Sequence, residues 1–117
     1  MIETLSKAAD LFDDSTFKIH EIHHTNKQDA PSGTAISFEK WLGHKTEITS
    51  ERAGDIVGIH ELSFESADEV ITLKHTAKDR SIFARGALWA SKIINENKDI
   101  PFGRTTFNDL VKNKLKL

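Results

Sequence analysis

The sequence predicts an α+β domain in which helices lie on one face of a mixed, mainly antiparallel, four-stranded sheet. The first observation is a strand-like alternation of apolar and polar residues over residues 17–24. The second is a pair of strand-like runs, residues 56–64 and 69–77, separated by a short polar turn, which predicts a hairpin. The third is the helical spacing of apolar residues over residues 82–94. Hairpin-linked strands together with separate helices are typical of the α+β class.

The amino-terminal half predicts a helix, a strand and a second helix. Apolar residues at helical spacing predict the first helix over residues 2–12. The strand over residues 17–24 places alternate side chains on opposite faces. One face carries Phe17, Ile19, Glu21 and His23, and the other carries Lys18, His20, Ile22 and His24. The next helix starts after the capping residue Ser32 and ends at Gly43.

The carboxyl-terminal half predicts the remaining strands and two more helices. A short strand at residues 45–49 precedes the hairpin, and Gly54 and Gly58 lie beside the first hairpin strand as positions for a bulge or a close approach. The helix over residues 82–94 carries a wide apolar stripe. Pro101 and Gly103 then interrupt the chain before a final short helix over residues 106–115.

The composition excludes several classes of site and partner. The chain has 117 residues, no cysteine, 16 basic and 18 acidic residues, and a formal net charge of −2. Disulfides and thiolate metal sites are therefore excluded, and the charge balance lacks the basic excess of a nucleic-acid binder. No run approaches the roughly 18 apolar residues of a membrane span, and residues 1–12 lack the features of a signal peptide. We expect a cytoplasmic protein without a nucleic-acid or membrane partner.

The richest chemistry lies where the first strand meets the following helix. His23 and His24 end the strand, and Lys27 follows in the loop. A lysine cation close to an imidazole favours release of the imidazole's proton, which suits general acid catalysis. The helix start at Gly33 and Thr34 offers free backbone N–H groups and a hydroxyl, which suit a carboxylate or phosphate. Together these features predict proton transfer to a bound anionic substrate.

Each of these features also has an ordinary structural interpretation. Neighbouring histidines at a strand end are often surface residues, and a serine followed by glycine is often only a helix start. A histidine-metal hydrolase is a further alternative, because His20 and His24 share a strand face. The sequence offers no cysteine ligand and no zinc-protease pair of helical histidines, so we predict no metal site.

Three runs of the sequence resemble the dihydrodipicolinate reductases, also called 4-hydroxy-tetrahydrodipicolinate reductases. The longest is HHTNKQDAPSGTA at residues 23–35, and the others are RAGDIVGIH at residues 52–60 and HTAKDRSIFARGA at residues 75–87. The resemblance extends from about Phe17 to the carboxyl terminus. One departure is Ile59, where many relatives carry an acidic or polar residue, and it lies outside the loop that carries the proton donors.

The resemblance implies a role for each candidate residue. It makes His23 the proton donor and acceptor, Lys27 the second proton donor, and His24, Gly33 and Thr34 the substrate-binding positions. The implied substrate is a small cyclic imine dicarboxylate, 4-hydroxy-tetrahydrodipicolinate, which is reduced to tetrahydrodipicolinate in lysine and diaminopimelate biosynthesis. The implied fold is the carboxyl-terminal domain of these enzymes, which is similar to that of glyceraldehyde-3-phosphate dehydrogenase.

The resemblance also implies what the rest of the enzyme contributes. The family uses NAD(P)H, whereas the glycines of this chain do not form G-x-G-x-x-G, so we expect no cofactor to bind this chain alone. We expect residues 1–117 to form the substrate-binding, catalytic and oligomerisation domain, with residues 81–117 packing on an amino-terminal nucleotide-binding domain that this chain lacks. We also expect a homotetramer and an inactive isolated chain. The alternative is an oligomerisation module without catalysis.

Overall fold

The computed structural model describes residues 9–12, 14–97, 100 and 102–115, which belong to two compact units, Met1–Lys78 and Asp79–Leu117. The first unit contains all four strands. Of the helix predicted over residues 2–12, residues 2–8 lie outside the described residues, and Ala9–Phe12 forms a short 3₁₀ helix.

The first unit is built on a mixed sheet of four strands in the order β2-β1-β3-β4. The strands are β1 (Thr16–His23), β2 (Thr46–Arg52), β3 (Gly58–Glu65) and β4 (Val70–Ala77). β1 pairs with β2 in parallel and with β3 antiparallel, and β3 pairs antiparallel with β4. The predicted α+β class and mainly antiparallel sheet are confirmed. The parallel pair is joined through a helix, as a parallel connection requires.

The buried face of this sheet is apolar at one end and polar at the other. Phe17 lies opposite Phe64, and Ile19 lies opposite Leu62, so two neighbouring rows are apolar. In the next row Glu21 on β1 lies opposite His60 on β3. Phe17, Ile19, Glu21 and His23, which the period of two placed together on one face, are the residues of β1 that point inward. The apolar rows form the core and the polar row begins the candidate site.

Helix α1 (Gly33–Leu42) covers the apolar rows with Ala35, Phe38 and Leu42. Ser32 caps it, because its Oγ accepts a hydrogen bond from the Ala35 N–H at 3.3 Å. Gly43 ends it with φ of 70°, the left-handed conformation that favours glycine, and donates its N–H to the Glu39 carbonyl at 3.2 Å. Both predicted ends are confirmed.

The predicted hairpin is also confirmed, with strand limits that differ by a few residues. The Ser66 N–H donates to the Glu69 carbonyl at 3.0 Å, and the Ser66 Oγ accepts from the amides of Asp68 and Glu69. The first hairpin strand begins at Gly58 rather than at residue 56, because the chain turns through Gly54 at φ of 48°. The short strand predicted over residues 45–49 continues to Arg52.

The second unit contains α2 (Ser81–Glu96) and α3 (Phe107–Leu115), close to the helices predicted over residues 82–94 and 106–115. Thr106 and Asp109 cap α3 reciprocally, since each side chain accepts the other residue's backbone N–H. Part of the apolar stripe of α2 is exposed, including Phe83 at 63% and Ile94 at 51%. No helix in the described part of the chain combines the length and apolar character needed to cross a membrane.

Candidate functional site

A fully buried carboxylate lies at the centre of the polar end of the sheet. Glu21 on β1 has no exposed surface, although an isolated buried carboxylate is strongly unfavourable. The guanidinium of Arg52, from the end of β2, donates to both carboxylate oxygens at 3.0 Å. The Ser32 N–H, just before α1, donates to Glu21 Oε1 at 3.2 Å. Glu21 therefore connects β1, β2 and the start of α1.

The hydrogen bonds around Glu21 keep its carboxylate charged. Burial raises the pKa of this carboxyl, but the hydrogen bonds from Arg52, Ser50, His23 and the Ser32 amide outweigh it and lower the pKa to about 2. Glu21 is thus an anion throughout the neutral range, so its oxygens are hydrogen-bond acceptors only.

His23 lies beside this anion and is itself buried, at 8% exposure. Its Nδ1 contacts Glu21 Oε2. Because the carboxylate is an acceptor, Nδ1 carries a proton and donates it to Glu21. The other ring nitrogen, Nε2, lies against Gly58, where a Cβ would come within 3.1 Å of it. Gly58 is therefore a close-approach glycine, as its position beside the hairpin strand suggested.

A second buried imidazole packs against His23. The rings of His60 and His23 meet edge to face with centroids 5.0 Å apart, and His60 Nε2 lies 3.2 Å from Ser32 Oγ. Burial lowers the pKa of His60 to about 4, with nearby His23 contributing in the same direction. His60 is therefore neutral at pH 7. Its Nδ1 is buried and has no hydrogen-bond partner within the part of the chain that the structure describes.

Lys27 lies in the loop between β1 and α1 and is largely shielded from solvent. Its ammonium pairs with Asp29 at 2.8 Å, and this hydrogen bond lowers the pKa of the Asp29 carboxyl. The loop is fixed to β2, because Arg52 donates to the carbonyls of Lys27 at 3.3 Å and Asp29 at 2.5 Å. The peptide bond between Ala30 and Pro31 is cis.

The three predicted substrate-binding positions lie around the same loop. His24 is the first residue after β1 and is half-buried. Gly33 and Thr34 are exposed in the first turn of α1, next to the cap Ser32. Through Glu21, Arg52 and Ser32, the structure brings the strand end, the lysine loop and the helix start together.

Sequence reasoning missed the residues that hold the site together, namely Glu21, Arg52 and His60. Two signals were present: Glu21 falls on the inward face of β1, and Arg52 begins the run RAGDIVGIH. A carboxylate on a core-facing position needs a cationic partner, and this need points to an arginine nearby. The identity of that partner follows only from the parallel pairing of β1 with β2, which places Arg52 opposite His23.

The residues described do not form a metal site of ordinary composition. Across residues 9–12, 14–97, 100 and 102–115, no group of three histidine, aspartate or glutamate side chains is placed to hold a metal ion. His20, which the hydrolase alternative would use, instead contacts Thr49 Oγ1 at 2.8 Å on the opposite face of the sheet.

Comparison with known proteins gives one consistent family. The sequence model described as "Dihydrodipicolinate reductase, C-terminus" matches residues 1–110. A 4-hydroxy-tetrahydrodipicolinate reductase of Thermosipho africanus is 43% identical over 112 residues, covering 96% of this chain and 50% of the relative. One of Xanthomonas euvesicatoria is 40% identical over 114 residues, covering 95% and 47%. The chain thus spans about half the length of these curated relatives.

A solved structure shares the fold. It is the dipicolinate-bound dihydrodipicolinate reductase from Paenisporosarcina sp. TG-14, with a TM-score of 0.71 and 24% sequence identity. The match covers 83% of this chain and 45% of the solved chain.

Proposed function

Because the chain belongs to the dihydrodipicolinate reductase family and matches its carboxyl-terminal region, we propose that it is the substrate-binding and proton-donating part of a 4-hydroxy-tetrahydrodipicolinate reductase. The observation that carries the proposal is the position of Glu21, whose carboxylate bonds both His23 and the amide that precedes α1. A proton-transfer group and an anion-binding helix start are thereby held within one hydrogen-bonded unit.

In this proposal His23 and Lys27 deliver protons to the reduced substrate. Hydride addition to a conjugated imine leaves negative charge on the nitrogen side of the ring. A nearby proton donor and a positive charge stabilise that charge in the transition state. Glu21 holds Nδ1 of His23, so Nε2 is the nitrogen left for proton exchange with substrate. The Lys27 ammonium pairs with the exposed Asp29 and can exchange that partner for the substrate.

The start of α1 binds a substrate carboxylate. The first N–H groups of a helix lack partners within the helix, and the helix dipole favours an anion there. Gly33 and Thr34 are exposed in this turn. His24 lies at the other end of the short loop and adds a second contact. Together these groups suit a small cyclic dicarboxylate.

The hydride comes from NAD(P)H bound by a part of the whole protein that this chain does not include. None of the glycines in the chain forms the dinucleotide-binding fingerprint. We propose that residues 81–117 pack on that nucleotide-binding region, which would cover exposed residues of the apolar stripe of α2 such as Phe83 and Ile94. In this proposal the isolated chain is inactive, and the whole enzyme acts in the cytoplasm.

The test is a chimera in which this chain replaces the matched half of the Thermosipho africanus relative. We expect the chimera, and not the chain alone, to oxidise NADH or NADPH only when 4-hydroxy-tetrahydrodipicolinate is present. A folded chimera that oxidises neither nucleotide with this substrate would contradict the proposal. Nucleotide oxidation by the isolated chain would contradict its predicted inactivity.

The anion site has its own test in the same chimera. Thr34→Ala removes a hydroxyl that binds ground state and transition state alike, so it should raise KM about three- to tenfold with little change in kcat. Ser37→Ala, one turn further along α1, is the matched control, since the Ser37 hydroxyl donates to the Gly33 carbonyl within the helix. An unchanged KM for Thr34→Ala would remove this residue from the binding site.

A further inference from the structure

The ion pair between Glu21 and Arg52 also makes hydrogen bonds to several other residues around it. A buried salt bridge is weak evidence for stability, because well-packed apolar residues of similar size are often as stabilising. Here the pair lies at the polar end of the sheet. Its other hydrogen bonds join it to the end of β1, which carries His23, and to the loop after β1, which carries Lys27.

The first connection runs from Glu21 to His23. Two residues apart on β1, their side chains share the inward face, and Glu21 Oε2 accepts the proton of His23 Nδ1. This bond selects one tautomer and one ring orientation. Gly58 permits that orientation, because a Cβ at this position would lie 3.1 Å from His23 Nε2.

The second connection runs from Arg52 to the lysine loop. The guanidinium donates to two carboxylate oxygens of Glu21 and also to the carbonyls of Lys27 and Asp29. Its Nε, Nη1 and Nη2 are all engaged, in the fixed fork that only arginine provides. The main chain that carries the Lys27 side chain is thus fastened to the same carboxylate that holds His23.

We propose that Glu21 and Arg52 form a positioning pair that sets the geometry of both proton donors, Glu21 acting on His23 and Arg52 acting on the Lys27 loop. The proposal rests on the proposed function, because it assumes that His23 and Lys27 deliver protons. Neither member of the pair touches the substrate. Glu21 is fully buried, and the guanidinium of Arg52 is occupied by its hydrogen bonds to the Glu21 carboxylate.

The connection from Glu21 to His23 is tested by measuring the tautomer of the His23 ring by NMR, in the full chain labelled with ¹⁵N at histidine. At about pH 8.5, above the usual histidine range, we expect wild-type His23 to show a protonated Nδ1 and an unprotonated Nε2. In Glu21→Gln, an amide oxygen at the Oε1 position keeps the bonds from Arg52 Nη2 and the Ser32 N–H, so the amide N–H₂ replaces Oε2 and faces His23 and Arg52 Nη1. The bond from Arg52 Nη1 is lost, and the protonated nitrogen of His23 becomes Nε2. Glu47→Gln is the control, since Glu47 is exposed on β2. An unchanged tautomer in a folded Glu21→Gln variant would overturn this connection.

The connection to Lys27 is tested by Arg52→Lys, which retains the cation beside Glu21 and loses the fork. We expect increased backbone motion at residues 27–29 by amide relaxation, and in the chimera a kcat at least about tenfold lower with KM within about threefold. A purely structural role would lower stability without changing kcat per folded molecule. A folded Arg52→Lys variant with a rigid loop and wild-type kcat would overturn the proposal.

Different results would contradict the proposed function and the positioning pair. Should Glu21→Gln prevent folding, the Arg52→Lys measurements still distinguish a positioning role of the pair from a purely structural role. A wild-type chimera without reductase activity would contradict the proposed function, and the positioning pair could then be supported only by the tautomer and relaxation results. An active wild-type chimera with no effect of either variant would leave the function in place and contradict the positioning pair.

Discussion

At the scale of single residues, the charge states of the site depend on burial and hydrogen bonding together. Glu21 and His60 are neighbours across β1 and β3 and are both buried, yet only Glu21 is charged at neutral pH. Glu21 is surrounded by donors that favour its anion, whereas His60 has one partner and loses solvation. The sequence places both residues on strands, but it does not reveal this difference, which depends on neighbours far apart in the chain.

The neutral state of His60 predicts a pH dependence of stability. Its folded pKa is about 4, below the ordinary value of 6.5. Between these values the unfolded chain binds a proton that the folded chain does not, so stability is lost as pH falls through this window. The full loss is on the order of 3 kcal/mol.

The measurement is urea unfolding between about pH 5.5 and pH 7, above most of the range in which the Glu21 carboxyl titrates in the folded or the unfolded chain. We expect His60→Gln to flatten the pH dependence of the unfolding free energy. His20→Gln, on the opposite face of the sheet, should retain it. Equal slopes for wild type and His60→Gln would show that His60 does not titrate differently on unfolding.

At the scale of elements, local signals predicted β1, α1 and the hairpin because each is specified by nearby residues. The period of two separated the two faces of β1, and Ser32 and Gly43 marked the ends of α1. The extent of β2 and its parallel pairing were not predicted. β2 is mostly exposed and its sequence TEITSER is largely polar, so no hydrophobic alternation marks it. Its position depends on pairing with β1, which is distant in the sequence.

The cap of α1 links an element boundary to the site, which gives an element-scale prediction. Ser32→Ala removes the bond to the Ala35 N–H and the contact with His60 Nε2. We expect the free energy of unfolding to fall by about 1–2 kcal/mol, as for other lost caps. Ser37→Ala, at a half-buried position inside the same helix, should change it by less than about 0.5 kcal/mol. A loss for Ser32→Ala no larger than for Ser37→Ala would contradict the capping role.

At the scale of the whole molecule, the outer face of the sheet and its edge strand β4 are largely exposed among the residues that the structure describes. β4 is exposed over most of its length, including Val70 at 61%. The outer face also carries cross-strand polar pairs such as Ser63 with Thr72. We propose that this surface contacts other copies of the chain and that the assembly is a homotetramer.

Sedimentation of the chain at tens of micromolar should therefore show self-association without the nucleotide-binding region. Val70→Lys adds a charge to the edge of the outer face and should shift the equilibrium toward monomer. Asp14→Lys, a charge change at an exposed turn before β1, is the control and should leave the equilibrium unchanged. A wild-type chain that sediments as a monomer would contradict this interface.

The central claim is that His23 and Lys27 deliver protons in a reductase. Its most direct measurement is kcat for His23→Ala and Lys27→Ala in the chimera, with folding checked by circular dichroism. We expect each substitution to lower kcat on the order of a hundredfold, because each removes stabilisation that acts mainly in the transition state. If both folded variants keep kcat within about threefold of wild type, a change well under 1 kcal/mol, the mechanism is wrong even though the family assignment stands.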